Sequence, residues 1–379
     1  MTDATIDSVS IIERENLAFE KKGSYNTTDL IVHAVRKSGR NPFAIGREMI
    51  RYSRSKAKLK FHEYVQYRFY DRDLYTDEER AAFISAAMHG RVVDECLDYG
   101  WFELCEDKWL SSVFLDADDT PQPLTLAVID TSPRGYQGVT KIETPEALKD
   151  FLTGGQEFPL FCKFNNGRWS VGANIIDAAD ATHLHLRGKE PMSHEQFFTD
   201  FIGENVFLIQ NFVENHEFLR RYTPTTATVR MVNMWTDKTN LWTPHAILKL
   251  PSARNAADNF WRDGNLVCNL DAKTGEILTV VSKDGPDLVN HDVHPETGAA
   301  IIGQRLPHWD KVLETNARMA ALHYPVKYAS QDIAITDDGP VVIEFNHGGA
   351  FELPQIASGT GFMTPQVREF FRSIGSTKV

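Results

Sequence analysis

Asp332, Glu344 and Asn346 lie in the stretch DIAITDDGPVVIEFNHGG, residues 332–349, which otherwise reads as two short apolar strands joined by a turn. The turn decides which residues face each other. Asp337-Asp338-Gly339 suits a three-residue hairpin loop with glycine where positive φ is needed. Thr336 is then expected to pair with Pro340 and, counting outward, Asp332 to stand opposite Glu344. Side chains alternate along a strand, so Glu344 and Asn346 share a face and Asp332 joins them. Directly opposed residues have Cβ atoms roughly 5 Å apart. Two carboxylates that close repel by on the order of 4 kcal/mol at an effective dielectric of about 20. A stable fold relieves this by protonating one, by spreading both into water, or by placing a cation between them. Two carboxylates and an amide oxygen make an all-oxygen set suited to Mg²⁺, completed by water and substrate phosphates. A solvated sheet face carrying ordinary polar residues accounts for the same three side chains, and the hairpin alone leaves both readings open.

A second group is cationic. Lys163 sits at the end of the apolar stretch FPLFCKF and is followed by FNNGRWSVGAN. Gly167 and Gly172 permit a loop whose backbone N–H groups approach an anion closely, and the lysine adds a mobile point charge for phosphate. The Gly-Lys-Ser/Thr order of a Walker A loop is absent. Taken alone, the pattern reads first as a hairpin turn. The two readings part at Gly172→Val: a loop pressed on phosphate predicts lost nucleotide use with stability spared, a mere turn predicts the reverse. His183 and His185 alternate as strand residues without a third ligand at suitable spacing, and His291 and His294 sit in a polar loop. No Gly-x-Ser-x-Gly elbow occurs, which leaves a serine-hydrolase reading without support.

The elements that must position these residues follow from periodicity and caps. Residues 1 to about 25 read as frayed and polar, and from there to about 100 the text is helical. Thr76-Asp77-Glu78-Glu79 is a capping box, and the helix it opens is expected to run through Ala87 to a stop near Gly90. The run from Arg47 to Lys60 is locally basic, which a solvated helix face explains before an anion site does. PLTLAVID reads as a strand, ETPEALKDFLTGG as a helix capped by Thr144, and FPLFCKF and ENVFLIQNFV as further strands. TTATVRMVNMW, HAILKL and a hairpin about Lys273-Thr274-Gly275 continue the β pattern. LPHWDKVLETNARMAALHY is an amphipathic helix with Trp309, Leu313, Ala317 and Ala320 or Ala321 on one face. The composition, 42% hydrophobic and 24% charged over 379 residues, is that of a globular protein of two or three domains. A net charge of −12 argues against a general nucleic-acid binder. The four cysteines lack metal or redox spacing, so reduced thiols in a cytoplasmic protein are expected. No apolar run is long enough to cross a membrane or serve as an export signal.

The ordered combination of a lysine with a glycine loop, the strand FLIQNFV, and a terminal Asp…Glu-x-Asn hairpin resembles the ATP-grasp superfamily. It is most similar to the sugar-transfer-associated ATP-grasp branch, whose longer patterns are matched by DNFWRDGNLVCNLDAKTGEI, HPETGAAIIGQRLPHW and QDIAITDDGPVVIEFN. The resemblance implies an α+β fold with a largely helical N-terminal lobe over 1–105, a central lid subdomain over 106–209 and a C-terminal catalytic lobe over 210–379. By the same resemblance Lys108 and Lys163 are the phosphate lysines, with Gly167 and Gly172 in the lid loop. Gln210, Phe212 and Val213 belong to the hinge that brackets adenine, and Glu217 holds the ribose hydroxyls. Arg230, Lys249 and Asn259 line the reaction centre, and Asp332, Glu344 and Asn346 hold Mg²⁺. Related ligases carry an arginine shortly before the first magnesium ligand, where this chain has Tyr-Ala-Ser-Gln; Arg230, Arg254 or Arg262 must then replace it. The branch's usual glycine pair is Gly264-Asn265 here, and no Rossmann-like first lobe is recognisable. The implied activity is an ATP-dependent carboxylate–amine ligase acting on small molecules through an acyl phosphate. A small-molecule kinase on the same fold and a non-catalytic nucleotide-binding protein are the alternatives. The acid, the amine and the oligomeric state are not legible in the chain.

Overall fold

The computed structural model describes residues 25–167 and 170–379. The polar segment expected before residue 25 lies outside the described residues, as do Arg168 and Trp169 of the glycine loop. Helices and two seven-stranded sheets alternate along the chain, and the α+β class is borne out. No helix among the described residues is long and apolar enough to cross a membrane.

The first sheet holds β1 (Thr125–Ile129), β2 (Thr140–Ile142), β3 (Leu160–Phe164), β4 (Asn174–Ala179), β5 (His183–Leu186), β6 (Met192–Ser193) and β7 (Phe207–Asn211) in the order β2-β1-β7-β3-β4-β5-β6. Only β1 and β2 run parallel. Thr144 caps the helix Pro145–Thr153 by accepting from the Ala147 N–H, with proline in the first turn as expected. Leu148 and Leu152 of that helix pack with Leu160, Cys162, Phe207 and Ile209 on one face of the sheet. By strand alternation, Phe161, Lys163, Leu208 and Gln210 point to the other.

The second sheet holds β8 (Thr228–Trp235), β9 (Leu241–Leu250), β10 (Leu266–Leu270), β11 (Val281–Asp284), β12 (Asp287–Asn290), β13 (Tyr328–Ile335) and β14 (Pro340–His347) in the order β12-β11-β10-β9-β8-β13-β14. It is covered on both faces. Trp309 and Val312 of the helix Trp309–Leu322 pack under Val229, Met231 and Leu248. The N-terminal helices Thr27–Ser38 and Pro42–Arg54 share a core with Ile247, Val267, Leu353 and Ile356. All eight residues of β13 are consequently buried, polar ones included.

Asp332 and Glu344 do stand opposite each other, by a different turn from the one expected. Thr336 and Gly339 exchange backbone hydrogen bonds across a two-residue loop, so Ile335, not Thr336, pairs with Pro340. A bulge then restores the register: Ile333 faces Val342, and Ile343 is the extra residue before Glu344. The Val342 N–H donates to the Pro121 carbonyl outside the hairpin, which holds the bulge in place.

Three expected elements differ. The helix after the Thr76 capping box stops at Ala82 rather than near Gly90. There Phe83 turns extended and enters a ring cluster with Tyr67, Phe69 and Tyr75, while the Gln355 side chain bonds both the N–H and C=O of Ile84. These long-range contacts capture backbone that the helix would have used. In the helix Trp309–Leu322 the buried stripe is Trp309, Val312, Asn316, Met319 and Ala320, while Ala317 and Ala321 are exposed. Apolar periodicity missed it because the stripe contains Asn316, which bonds Asn233. The hairpin about Gly275 reduces to an isolated bridge between Leu270 and Ile277.

Candidate active site

A cleft of about 500 Å³ lies between the two sheets. Strand alternation on both sides supplies its polar lining: Lys163 and Gln210 from the first sheet, Thr228, Arg230, Lys249 and Asp332 from the second. Glu344 and Asn346 reach it from β14, together with Ile343 of the bulge.

Lys163 is buried and its ammonium forms no hydrogen bond or ion pair among the described residues. Burial and the neighbouring Lys108 pull its pKa down to about 8, against a smaller opposing pull from Glu344. Lys108 opens the helix Lys108–Asp116, whose cap Asp107 accepts from the Leu110 N–H. Its ammonium donates to the Gly167 carbonyl at 2.7 Å and sits 3.2 Å from Glu344 Oε1. The Trp109 N–H donates to Asn165 Oδ1 in the same loop. The glycine loop is therefore stitched to this helix through Lys108. A cation held near a like charge without a partner is an arrangement that an anion completes.

Asp332 carries the opposite charge balance. Its two oxygens accept a fork from Arg230 at 2.8 and 2.6 Å, and Oδ2 accepts from Lys249 at 3.0 Å. Burial would raise this carboxyl, but Arg230 and Lys249 outweigh it and hold Asp332 well below the usual carboxylate range. Lys249 also meets Asp258 at 3.1 Å, and Asp258 accepts from the Thr228 hydroxyl. The repulsion expected between Asp332 and Glu344 is thus relieved by side-chain cations on each: Arg230 and Lys249 on one, Lys108 on the other.

The donors for a magnesium ion are of the right kind. Glu344 is only half-buried in the cleft, and the buried Asn346 Nδ2 makes no hydrogen bond, so neither side chain's amide nor carboxylate is committed to the fold beyond the Lys108 contact. Asp332 is the most engaged of the three. No group of three or more His, Cys, Asp or Glu residues placed to hold a metal occurs among the described residues.

Of the remaining expected residues, Gly167, Val213 and Asn259 also line the cleft. Gly172, Phe212 and Glu217 do not. Gly172 has a φ of +72° and packs on the Phe207 ring, where a Cβ would meet it at 3.1 Å; its demand for glycine comes from the sheet interior. Phe212 alternates away from the cleft and stacks under the Arg187 guanidinium. Glu217 is exposed, its backbone N–H held by Asp337 in the β13–β14 turn. Among the arginines weighed for the reaction centre, Arg230 alone lines the cleft; Arg254 is exposed beside Glu296, and Arg262 bonds the Ser170 carbonyl.

Sequence reasoning missed Asp258, Glu106, His89, His347, Trp261 and Glu352, all of which line the cleft. Asp258 was adjacent to the expected Asn259. His347 directly follows the expected Asn346 and Trp261 lies two residues past Asn259, whereas nothing in the local text marks Glu106, His89 or Glu352, which the N-terminal helices and the helix Glu352–Ser358 bring in.

The family described as sugar-transfer associated ATP-grasp matches residues 103–369. No curated protein matches the chain in sequence. The solved structures to which it is similar include D-alanine–D-alanine ligase from Bacillus anthracis (14% identity, 72% of this chain and 67% of that chain, TM-score 0.37). Others are D-alanine–D-alanine ligase from Helicobacter pylori (10%, 72% and 60%, 0.39) and phosphoribosylamine–glycine ligase from Thermotoga maritima (14%, 72% and 55%, 0.38). The match thus spans between 55% and 67% of those chains.

Proposed function

Because this chain belongs to the sugar-transfer-associated ATP-grasp family, we propose that it is an ATP-dependent carboxylate–amine ligase that forms an amide through an acyl phosphate, releasing ADP and phosphate. Family membership gives the ATP-grasp fold and implies ATP as the nucleotide. The observation that carries the reading is the buried, unpartnered Lys163 ammonium, set beside Lys108 and sharing a cleft with Asp332, Glu344 and Asn346. Lys163 and Lys108 hold the phosphates, and Gln210 and Val213 flank the base. When Lys108 turns to phosphate, Glu344 is released from its 3.2 Å contact and can join Asn346 and Asp332 as an oxygen donor. Mg²⁺ bound there would neutralise phosphate charge.

The protein's share of the chemistry is positioning and charge neutralisation. A substrate carboxylate attacks the γ-phosphorus, the bond to the β-bridging oxygen breaks, and ADP leaves. An amine then attacks the acyl carbon, and phosphate departs from a tetrahedral intermediate. Arg230 is the cation of the centre best placed to stabilise that intermediate, since it reaches the cleft already oriented by Asp332. The loop at Gly167, tied to Lys108, covers the phosphates and limits water.

A panel of carboxylic acids incubated with the protein, ATP, Mg²⁺ and hydroxylamine tests this. Hydroxylamine traps an acyl phosphate as a hydroxamate without requiring the natural amine. Hydroxamate appearing with equal phosphate release supports the ligase; a stable phosphorylated product untouched by hydroxylamine makes the protein a kinase instead.

A further inference from the structure

The cleft continues past the phosphate-binding residues to a wall made by Ala86, Trp261, Phe351, Glu352 and Leu353. Five acidic side chains line the cleft as a whole, and four are met by a lysine, arginine or histidine side chain. Asp332 has Arg230 and Lys249, Asp258 has Lys249, Glu344 has Lys108, and Glu106 has His347 at 3.3 Å. Glu352 is the fifth, and no ion pair reaches it among the described residues. The Trp261 side chain hydrogen-bonds it, and the buried Glu63 faces it from the helix Phe61–Gln66. Glu63 is spent inside the protein, accepting from the backbone N–H groups of Lys60 and Ala86. Lys60 and Lys283 are the cations nearby, neither lines the cleft, and the Lys283 ammonium lies over the Trp261 ring at 5.0 Å.

We propose that this wall is the subsite for the amine substrate, and that it takes a primary ammonium on an apolar stem, the charge on Glu352 and the stem against Trp261, Phe351 and Leu353. The inference rests on the ligase reading for the amine's role, though not for its binding. Three features favour this class of ligand. A single carboxylate with aromatic neighbours suits an ammonium, whereas a divalent metal needs several more oxygens. Lys108, Arg230 and Lys249 are paired with other carboxylates, and Lys163 is assigned to phosphate, so the ligand must bring the positive charge. Burial, and then Glu63, raise the Glu352 pKa to about 7, a strain that an incoming cation relieves and a neutral ligand does not.

The test uses the full chain and n-butylamine as the probe, with 1-butanol as its uncharged counterpart. Thermal unfolding is followed with each, with and without Mg·ATP, for wild type, Glu352→Gln and Glu352→Asp. Butylamine should raise the wild-type midpoint and butanol should not. Its apparent affinity should tighten as pH rises from 6 to 8 and Glu352 ionises. Glu352→Gln should weaken it roughly tenfold or more, the scale of one charge-assisted hydrogen bond, and Glu352→Asp should restore part of it. An equal shift in wild type and Glu352→Gln, or none in wild type, overturns the subsite. The Mg·ATP shift is read separately: its retention in Glu352→Gln shows that the cleft is intact, and its absence in wild type defeats the ligase reading while leaving the amine result to stand or fall alone.

Discussion

At the scale of single residues, the cleft is a set of charges that the folded chain leaves unequally matched. Lys163 is the extreme case, and its two roles separate by experiment. With its folded pKa near 8, the free protein binds fewer protons there than the unfolded chain between about 8 and the ordinary lysine value of 10.5. Stability therefore rises with pH across that window, and below it the buried charge is a burden. Lys163→Met should stabilise the nucleotide-free protein at pH 7 by on the order of 1–3 kcal/mol, a gain that shrinks as pH climbs from 8 to 10.5. Chemical denaturation at several pH values checks the sign. Glu344→Gln keeps size and hydrogen bonding while removing one of the two carboxylate charges of the proposed metal set. ATP turnover should drop by roughly two orders of magnitude, and near wild-type turnover at saturating Mg²⁺ would remove Glu344 from the metal set. Glu352 titrates with the opposite sign. Its pKa is raised from the model-peptide range to about 7, so its charge burdens the folded state increasingly as pH rises from about 4.5 to 7. Glu352→Gln should accordingly gain more stability at pH 8 than at pH 5.

At the scale of elements, the strands that carry the site were legible and the helices less so. Counting out from the turn sets Asp332 opposite Glu344, and alternation sets Asn346 on the face of Glu344; Lys163 and Gln210 were legible only through the family resemblance. The turn between β13 and β14 was misread by one residue and the bulge at Ile343 cancelled the error; a bulge anchored by Pro121 leaves no mark in the hairpin's own sequence. The helix after Thr76 was drawn too long because its end is set by Gln355, distant in the chain. Gly172 shows the same limit. Its positive φ and its contact with Phe207 make Gly172→Val costly to the first sheet, by roughly 1–3 kcal/mol, which should lower the nucleotide-free melting temperature. A preserved Mg·ATP-induced shift in that variant would accord with its place away from the cleft.

At the scale of the whole molecule, the family match begins at residue 103, but the core does not. Leu30, Ile45, Met49 and Tyr64 of the N-terminal helices pack in one cluster with Ile247, Val267 and Phe260 of the second sheet and its loop. A fragment starting at residue 103 should therefore expose that surface and bind a hydrophobic dye rather than fold cooperatively. His89 packs against Tyr328 and Phe351, which brings it and Ala86 to the cleft, so the wall around Glu352 could not be read from motifs. In the proposed ligase the nucleotide's phosphates sit between the sheets on Lys163. Measuring the Mg·ATP-induced rise in melting temperature for wild type and Lys163→Met tests it most directly. A ligand at about a hundredfold its Kd stabilises the folded state by about 2.7 kcal/mol. Wild type should show a rise of that order and Lys163→Met should lose most of it; an undiminished rise in Lys163→Met would place the phosphates elsewhere.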